Sequence, residues 1–392
     1  MSSPELSPTD LYLTDELLTE EELRIRDGLH DFCAREVTPV INDYWERAEF
    51  PFELVPKIAE LGLAGGVIQG HGCPGMSATA AGLVSMEWAR ADGSIGTFFG
   101  VHSNLAMQSI DMLGSDEQKD RWLEPMARLE AIGAFGLTEP EHGSDAVALE
   151  TSARRDGGDW ILDGGKMWIT NAPVADVAVI WARAEEGVYG FAVPTGTPGF
   201  TAREIKHKMS LRASSTGEIT LDEVRVPESA RLPEARGLKA PLSCLTEARF
   251  GIIWGALGAA RDCLHTAIDY ATTREQFGRP IGGFQLTQAK LTDMALELQK
   301  GFLLALHLGR RRDTAGHLRP EQVSVGKLNN VREAIAIARQ CRTILGGNGI
   351  SGEYPVMRHA NNLESVLTYE GTSEIHQLVI GQALTGLNAF AS

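Results

Sequence analysis

Apolar and polar positions recur along this chain with two different periods, and the changes of period divide it into three. From about Thr19 to Glu130 the spacing is helical. "TEEELRIRDGLHDFCAREV" opens with Thr19 and Glu22 three apart, the spacing of a capping box, and continues with Leu23, Ile25, Leu29 and Phe32. "ELVPKIAELG" and "SDEQKDRWLEPMARLE" predict further helices, the second capped by Ser115, and "GHGCPGMS" between them is a loop. Near Ile132 the pattern changes. "GDWILDGGKMWITNA", "ADVAVIWARA", "GVYGFAVPTGTPGF" and "GEITLDEVRVPE" are short apolar or alternating runs broken by Gly, Pro, Asn and Asp, which predict strands and turns. After Pro241 the helical period returns and lasts nearly to the end, as in "RFGIIWGALGAARDCLHTAIDYATTREQF". The expectation is a mainly α chain with a β insertion: an N-terminal α-helical domain over 1–131, a central β domain over 132–240 and a C-terminal helical bundle over 241–392.

Charge and cysteine usage narrow the function. A net charge of −16 argues against nucleic acid and anionic membrane surfaces as partners, since both need basic patches. The 5 cysteines are scattered, with no C-x-x-C pair, which points to a reducing compartment and away from a disulfide framework or cysteine-built metal site. No window approaches the roughly 18 apolar residues of a membrane span. The first residues are acidic and lack the apolar core of a secretory signal. The expected location is the bacterial cytoplasm, or the mitochondrial matrix for a processed chain.

Three stretches carry candidate chemistry. "FGLTEPEHGSD" (Phe135 to Asp145) offers two hydroxyls, two glycines and a proline bend, which suits either a flat phosphate-bearing cofactor or an ordinary turn. "KMWITNA" (Lys166 to Ala172) places Trp168 beside Thr170, as an aromatic wall with a hydroxyl or simply as core. "ILGGNGI" (Ile344 to Ile350) follows a long helix, and its glycines serve either a phosphate or the helix C-terminus. A fourth residue stands apart. Glu370, between Tyr369 and Gly371, lies in a stretch poor in basic neighbours.

Together with "TTREQFGRPIGGFQLTQAKL", "ILGGNGISGEYPVMRHA" and "TYEGTSEIHQLVIGQALTG", these stretches resemble the acyl-CoA dehydrogenase family of flavoenzymes from about residue 20 to the end. "SLRASSTGEI" and "CLTEARFGIIWGALGA" are most similar to its glutaryl-CoA dehydrogenase branch. The resemblance implies an N-terminal α domain, a central β-barrel-like domain and a C-terminal four-helix bundle. It also implies a homotetramer built as a dimer of dimers, FAD as cofactor, an acyl-CoA substrate and an electron-transfer flavoprotein as electron acceptor. Reoxidation by dioxygen, as in acyl-CoA oxidases on the same scaffold, is the alternative.

Carried over by position, the resemblance places Phe135, Gly136, Leu137, Thr138, Gly143 and Ser144 against FAD, with Ser144 also near the CoA portion. Trp168, Ile169 and Thr170 line the other flavin edge. Arg274 and Gln285, together with Thr343, Ile344, Leu345, Gly346 and Gly347, reach the FAD of a neighbouring subunit, and Gln276 and Phe277 also fall on cofactor-binding positions. Thr372 and Phe390 complete the cofactor set. Gly96, Thr97, Ser144, Leu242, Leu245, Thr246, Arg249, Tyr369 and Gly371 fall on substrate-binding positions.

The resemblance makes Glu370 the base that removes the α-proton of the thioester while a β-hydride passes to flavin N5. An apolar slot suits this role, because desolvation raises a carboxylate's pKa and strengthens it as a base. Some family members carry the base just before the arginine that Arg249 matches. Here that residue is Ala248, and Glu247 is one position out of register. Glutaryl-CoA dehydrogenases also carry an arginine that pairs with the distal substrate carboxylate, and Gly96 stands at that position. Phe98 and Phe99 lead us to expect an apolar pocket end suited to a short or branched acyl chain. His102 is expected to be structural.

Overall fold

The computed structural model describes residues 7–390, and its architecture follows the helix–sheet–helix outline. The N-terminal part contains α1 (Glu20–Phe32), α2 (Thr38–Arg47), α3 (Val55–Glu60), α4 (Ala78–Ala91), α5 (Gly93–Gly100), α6 (Gln108–Leu113) and α7 (Asp116–Ala127). Thr19 and Glu22 form the expected reciprocal cap of α1, and Ser115 with Gln118 does the same for α7. A π-helical stretch, Val101–Met107, joins α5 to α6. His102 lies within it and is fully buried. Its Nε2 donates to the Met126 carbonyl (2.9 Å) and its Nδ1 accepts from the Gly133 amide (3.1 Å). Burial pushes this imidazole down to about 4, so it is a neutral structural link between α7 and the sheet.

The sheet has eight strands: β1 (Gly133–Gly136), β2 (Ser152–Asp156), β3 (Asp159–Thr170), β4 (Val177–Ala184), β5 (Gly187–Pro194), β6 (Phe200–Glu204), β7 (Thr216–Pro227) and β8 (Arg231–Arg236). Their order is β6-β7-β3-β2-β4-β5-β8, with β1 parallel to β4, and the end strands β6 and β8 do not pair with each other. Strand β4 explains how the sheet sits. Val177, Val179 and Trp181 face the N-terminal core, and Ala178, Ile180 and Ala182 face the sheet's own core. Burial on both faces gives the continuous apolar run seen in the sequence.

The C-terminal part contains α8 (Lys239–Thr273), α9 (Gln285–Ala315), α10 (Pro320–Ile344), α11 (Pro355–Thr368) and α12 (Ser373–Thr385). Helix α8 joins the parts. Ala240, Cys244 and Ala248 pack into the N-terminal core, and the helix from Phe250 to Ala271 packs into the bundle. It crosses α4 on glycines. A Cβ at Gly82 would strike the Trp254 indole, one at Gly255 would lie 3.3 Å from the Ala89 Cβ, and one at Gly258 would collide with the Met86 carbonyl. At Gly82 and Gly258 backbones this close leave no room for a side chain, and at Gly255 the contact is tight.

Candidate active site

Helix α11 stops at Thr368, and the chain turns sharply before α12 begins. Tyr369 is extended, Glu370 has φ +51° and Gly371 has φ +98°; Thr372 then caps α12 by accepting from the Ile375 amide (3.3 Å). A left-handed glutamate is costly, and the surrounding packing must hold it there. Gly371 has no alternative, because a Cβ would stand 3.0 Å from His376 Nε2 and 3.3 Å from Arg249 Nη2.

The expectation that Glu370 lacks basic neighbours is corrected. Arg249 of α8 and Lys327 of α10 flank the turn, brought there by helices remote in sequence. Both bond to peptide carbonyls. Arg249 Nε donates to the Glu370 carbonyl (2.6 Å), and Lys327 Nζ donates to the carbonyls of Tyr369 and Gly371 (2.6 Å for the latter). The carboxylate is thus left with one oxygen, Oε2, enclosed and without a hydrogen-bond partner. Burial pushes the Glu370 carboxyl above the ordinary glutamate range, and the charges of Arg249 and Lys327 offset only part of that rise. Burial also lowers the Lys327 ammonium, against the pull of Glu370, and raises the Tyr369 phenol.

The flavin-edge stretches converge through a buried ion pair. Lys166 Nζ meets Glu139 Oε1 at 2.7 Å and the Leu137 carbonyl at 3.2 Å, and the two side chains are 0% and 5% exposed. Glu139 also accepts from the amides of Glu150 (2.6 Å) and Thr151 (2.9 Å), and the Met167 amide donates to the Thr138 carbonyl (2.9 Å). Burial pushes the Glu139 carboxyl up, but the Glu150 amide and Lys166 outweigh it and hold it below the usual range. Neither residue was singled out from sequence. The clue was present, since Lys166 occupies an inward position of β3 in step with Trp160 and Leu162.

Trp168 lies where the β3–β7 register slips between Lys166 and Ile169. Its φ is +62° and it is 57% exposed, whereas its neighbour Ile169 is buried. A tryptophan held outward in a strained conformation at a bulge is no core residue. Its indole face and the partly exposed hydroxyl residues Thr138 and Thr170 fit a flat aromatic cofactor. Next in sequence, Asn171 donates to the carbonyls of Phe98 (3.1 Å) and Gly133 (3.3 Å), so α5 touches the end of β3. Helix α5 also packs against α11, the helix that ends at the turn of Glu370. The edge of Trp168 and the turn of Glu370 therefore adjoin the same helix.

The other predicted residues fall into separate groups. Leu242, Leu245 and Arg249 follow one face of α8, with the Thr246 hydroxyl bonded to the Leu242 carbonyl (2.9 Å). Gly143 and Ser144 are exposed on the loop after β1. Phe135 packs at a tilt against Trp181, and a Cβ at Gly136 would press 2.8 Å from Ile180, so both serve packing. Arg274, Gln276, Phe277 and Gln285 gather at the far end of α8 and the start of α9, with Phe277 94% exposed. The loop Gly346–Ile350 joins that end through Asn348, which donates to the Tyr270 hydroxyl (3.1 Å). Gly346, with φ +58°, ends α10, while Ile344 and Leu345 are buried and Thr343 bonds back along its own helix. Phe390 is exposed near the end of the described residues and is not brought to either cluster.

Phe98 and Phe99 do not form a pocket end. Both are buried in the N-terminal core, Phe98 against Phe50 (4.5 Å between ring centres) and Phe99 against Trp88 (5.4 Å). Gly96 and Thr97 on the same helix are half-buried.

Comparisons with known proteins fit this geometry. Family models described as the N-terminal, middle and C-terminal domains of acyl-CoA dehydrogenase match residues 19–130, 134–224 and 235–385. The mitochondrial short-chain specific acyl-CoA dehydrogenase of Bos taurus is 36% identical over 370 residues, 93% of this chain and 90% of that protein. The chain belongs to the acyl-CoA dehydrogenase family. Members of this family bind FAD and are oxidoreductases acting on CH–CH groups. A crystal structure of glutaryl-CoA dehydrogenase from Mycobacterium smegmatis superposes with a TM-score of 0.97 at 62% identity, covering 99% of this chain and 100% of that one. A second glutaryl-CoA dehydrogenase structure from that organism, in complex with FADH2, also gives 0.97, at 56% identity and the same coverage. No helix among the described residues is long and apolar enough to cross a membrane.

Proposed function

We propose that this acyl-CoA dehydrogenase converts a short or branched acyl-CoA to its 2-enoyl-CoA. Glu370 is the base, and electrons leave to an electron-transfer flavoprotein. The observation that carries the reading is the enclosed, unpartnered Oε2 of Glu370, on a left-handed turn held by two cations. An α-proton next to a thioester is barely acidic, so its removal needs a dry and fixed base. FAD, when bound, supplies the acceptor for the β-hydride. Trp168, Thr138 and Thr170 would hold its ring, and the α8 face through Arg249 would receive the thioester. The segments 1–131, 132–240 and 241–392 are taken as the domains. The exposed Phe277 end of α8 supports a homotetramer in which Arg274, Gln285 and Gly346 reach a neighbour's cofactor.

An anaerobic titration with butyryl-, isobutyryl-, isovaleryl- and glutaryl-CoA tests this reading, and failure of all of them to bleach the flavin would refute it. Hydrogen peroxide released stoichiometrically under air would replace the flavoprotein acceptor with dioxygen. Because Glu370 must be ionised to act, kcat/KM should fall on the acid side at a pH above the ordinary glutamate range. A pH profile flat down to that range would contradict the burial argument.

The glutaryl-CoA dehydrogenase at 62% identity favours a second reading, oxidative decarboxylation of glutaryl-CoA. Gly96 weighs against it. The nearby guanidiniums are engaged, Arg90 with Glu87 and Arg358 with Asp92. A Cβ at Gly96 would lie 3.3–3.4 Å from the N, Cα and Cβ of Ala89, a tight contact that α5 relieves by moving a few tenths of an ångström. Gly96→Arg should therefore raise kcat/KM on glutaryl-CoA, since an unpaired buried carboxylate costs several kcal/mol. Efficient wild-type conversion of glutaryl-CoA to crotonyl-CoA and carbon dioxide would decide for the second reading.

A further inference from the structure

Three consecutive carbonyls, those of Tyr369, Glu370 and Gly371, are each held by a cation from another helix. Lys327 takes the outer two and is only 2% exposed. It also lies 5.7 Å from the centre of the Tyr369 ring. One turn earlier on α10, the Ser324 hydroxyl bonds His376 Nδ1 (3.0 Å), and the uncharged ring of His376 fills the space beneath Gly371. A buried ammonium bridging the two neighbours of a left-handed glutamate restrains both peptides that set its side-chain direction.

We propose that Lys327 is a positioning residue for proton abstraction: by gripping the carbonyls on both sides of Glu370 it fixes the turn that aims the carboxylate. This rests on Glu370 being the base. The charged and titratable groups around that carboxylate are Arg249 from α8, Lys327 from α10, Tyr369 before it and His376 from α12, which is neutral. Lys327 thus supplies one of the two cations that favour the ionised base. Its removal should both release the turn and move the acid limb of activity to higher pH.

The test uses FAD-loaded wild type, Lys327→Met and Lys327→Arg. Two quantities are read: the kcat and KM pH profiles with an acyl-CoA, and the infrared carboxylic-acid band of Glu370, identified by its loss in Glu370→Gln. For Lys327→Met a fall in kcat on the order of 100-fold is expected, as for a reacting group displaced by about 1 Å, with KM little changed and the band titrating at higher pH. Lys327→Arg keeps the charge but misfits the grip, so kcat should fall while the band midpoint stays near that of wild type. A folded Lys327→Met with wild-type kcat and band midpoint would overturn the proposal. So would a folded Lys327→Arg with wild-type kcat, which decides the matter should Lys327→Met fail to fold. The band is read without substrate, so its midpoint tests Lys327 even if no acyl-CoA reduced the flavin, a result that counts against the proposed function instead.

Discussion

Glu370→Gln should retain FAD and bind acyl-CoA, yet reduce its flavin about 10²–10⁴-fold more slowly, the range a positioned general base contributes. The substitution keeps the size of the side chain and the left-handed turn, because Arg249 and Lys327 hold the peptide carbonyls rather than the carboxylate. Nothing that binds substrate is removed, so the loss should fall on the reduction step seen by anaerobic stopped flow and not on KM. Reduction at the wild-type rate would mean that another group takes the proton. Glu247 is no ready substitute, because its carboxylate is paired with Arg312.

Lys166→Met should destabilise the protein by about 3–5 kcal/mol, the cost of leaving one half of a buried pair uncompensated. The pair Lys166–Glu139 fastens the loop of Thr138 to the bulge of Trp168, so FAD retention should drop with stability. The double variant Lys166→Met with Glu139→Gln should recover part of both, since no lone charge stays buried. Thermal melts and the flavin absorbance per protein measure these effects. Flavin content and melting temperature both equal to wild type in the single variant would show that the two loops are held by other contacts.

The three-part organisation was legible because it rests on period, and burial of one or both faces imposes period directly on sequence. The caps at Thr19 and Ser115 were equally open to reading, being local chemistry. Trp168 was ambiguous for a physical reason. A tryptophan in an alternating run is either inward or outward, and a slip in register with β7 placed it outward. The surroundings of Glu370 could not be read locally, because Arg249 lies 121 residues away and Lys327 44 from Gly371. Phe98 and Phe99 misled for a related cause. Composition suggests an apolar wall, but only the packing of α5 against Phe50 and Trp88 tells which face is core.

The glycine crossing of α4 and α8 bears on how this protein could acquire new substrates. Gly82, Gly255 and Gly258 weld the two backbones together, so neither helix can shift to widen or narrow the space beside it without breaking the contact. Ala89, against which a Cβ at Gly96 would press, rides on the welded segment. On the proposed placement of the acyl-CoA, drift in substrate range falls to exchanges of individual side chains, at Ala89, Gly96 and the open face of α8. Such changes come in discrete steps, each testable by itself, and a laboratory selection for new acyl groups should enrich these positions and leave the crossing glycines unchanged.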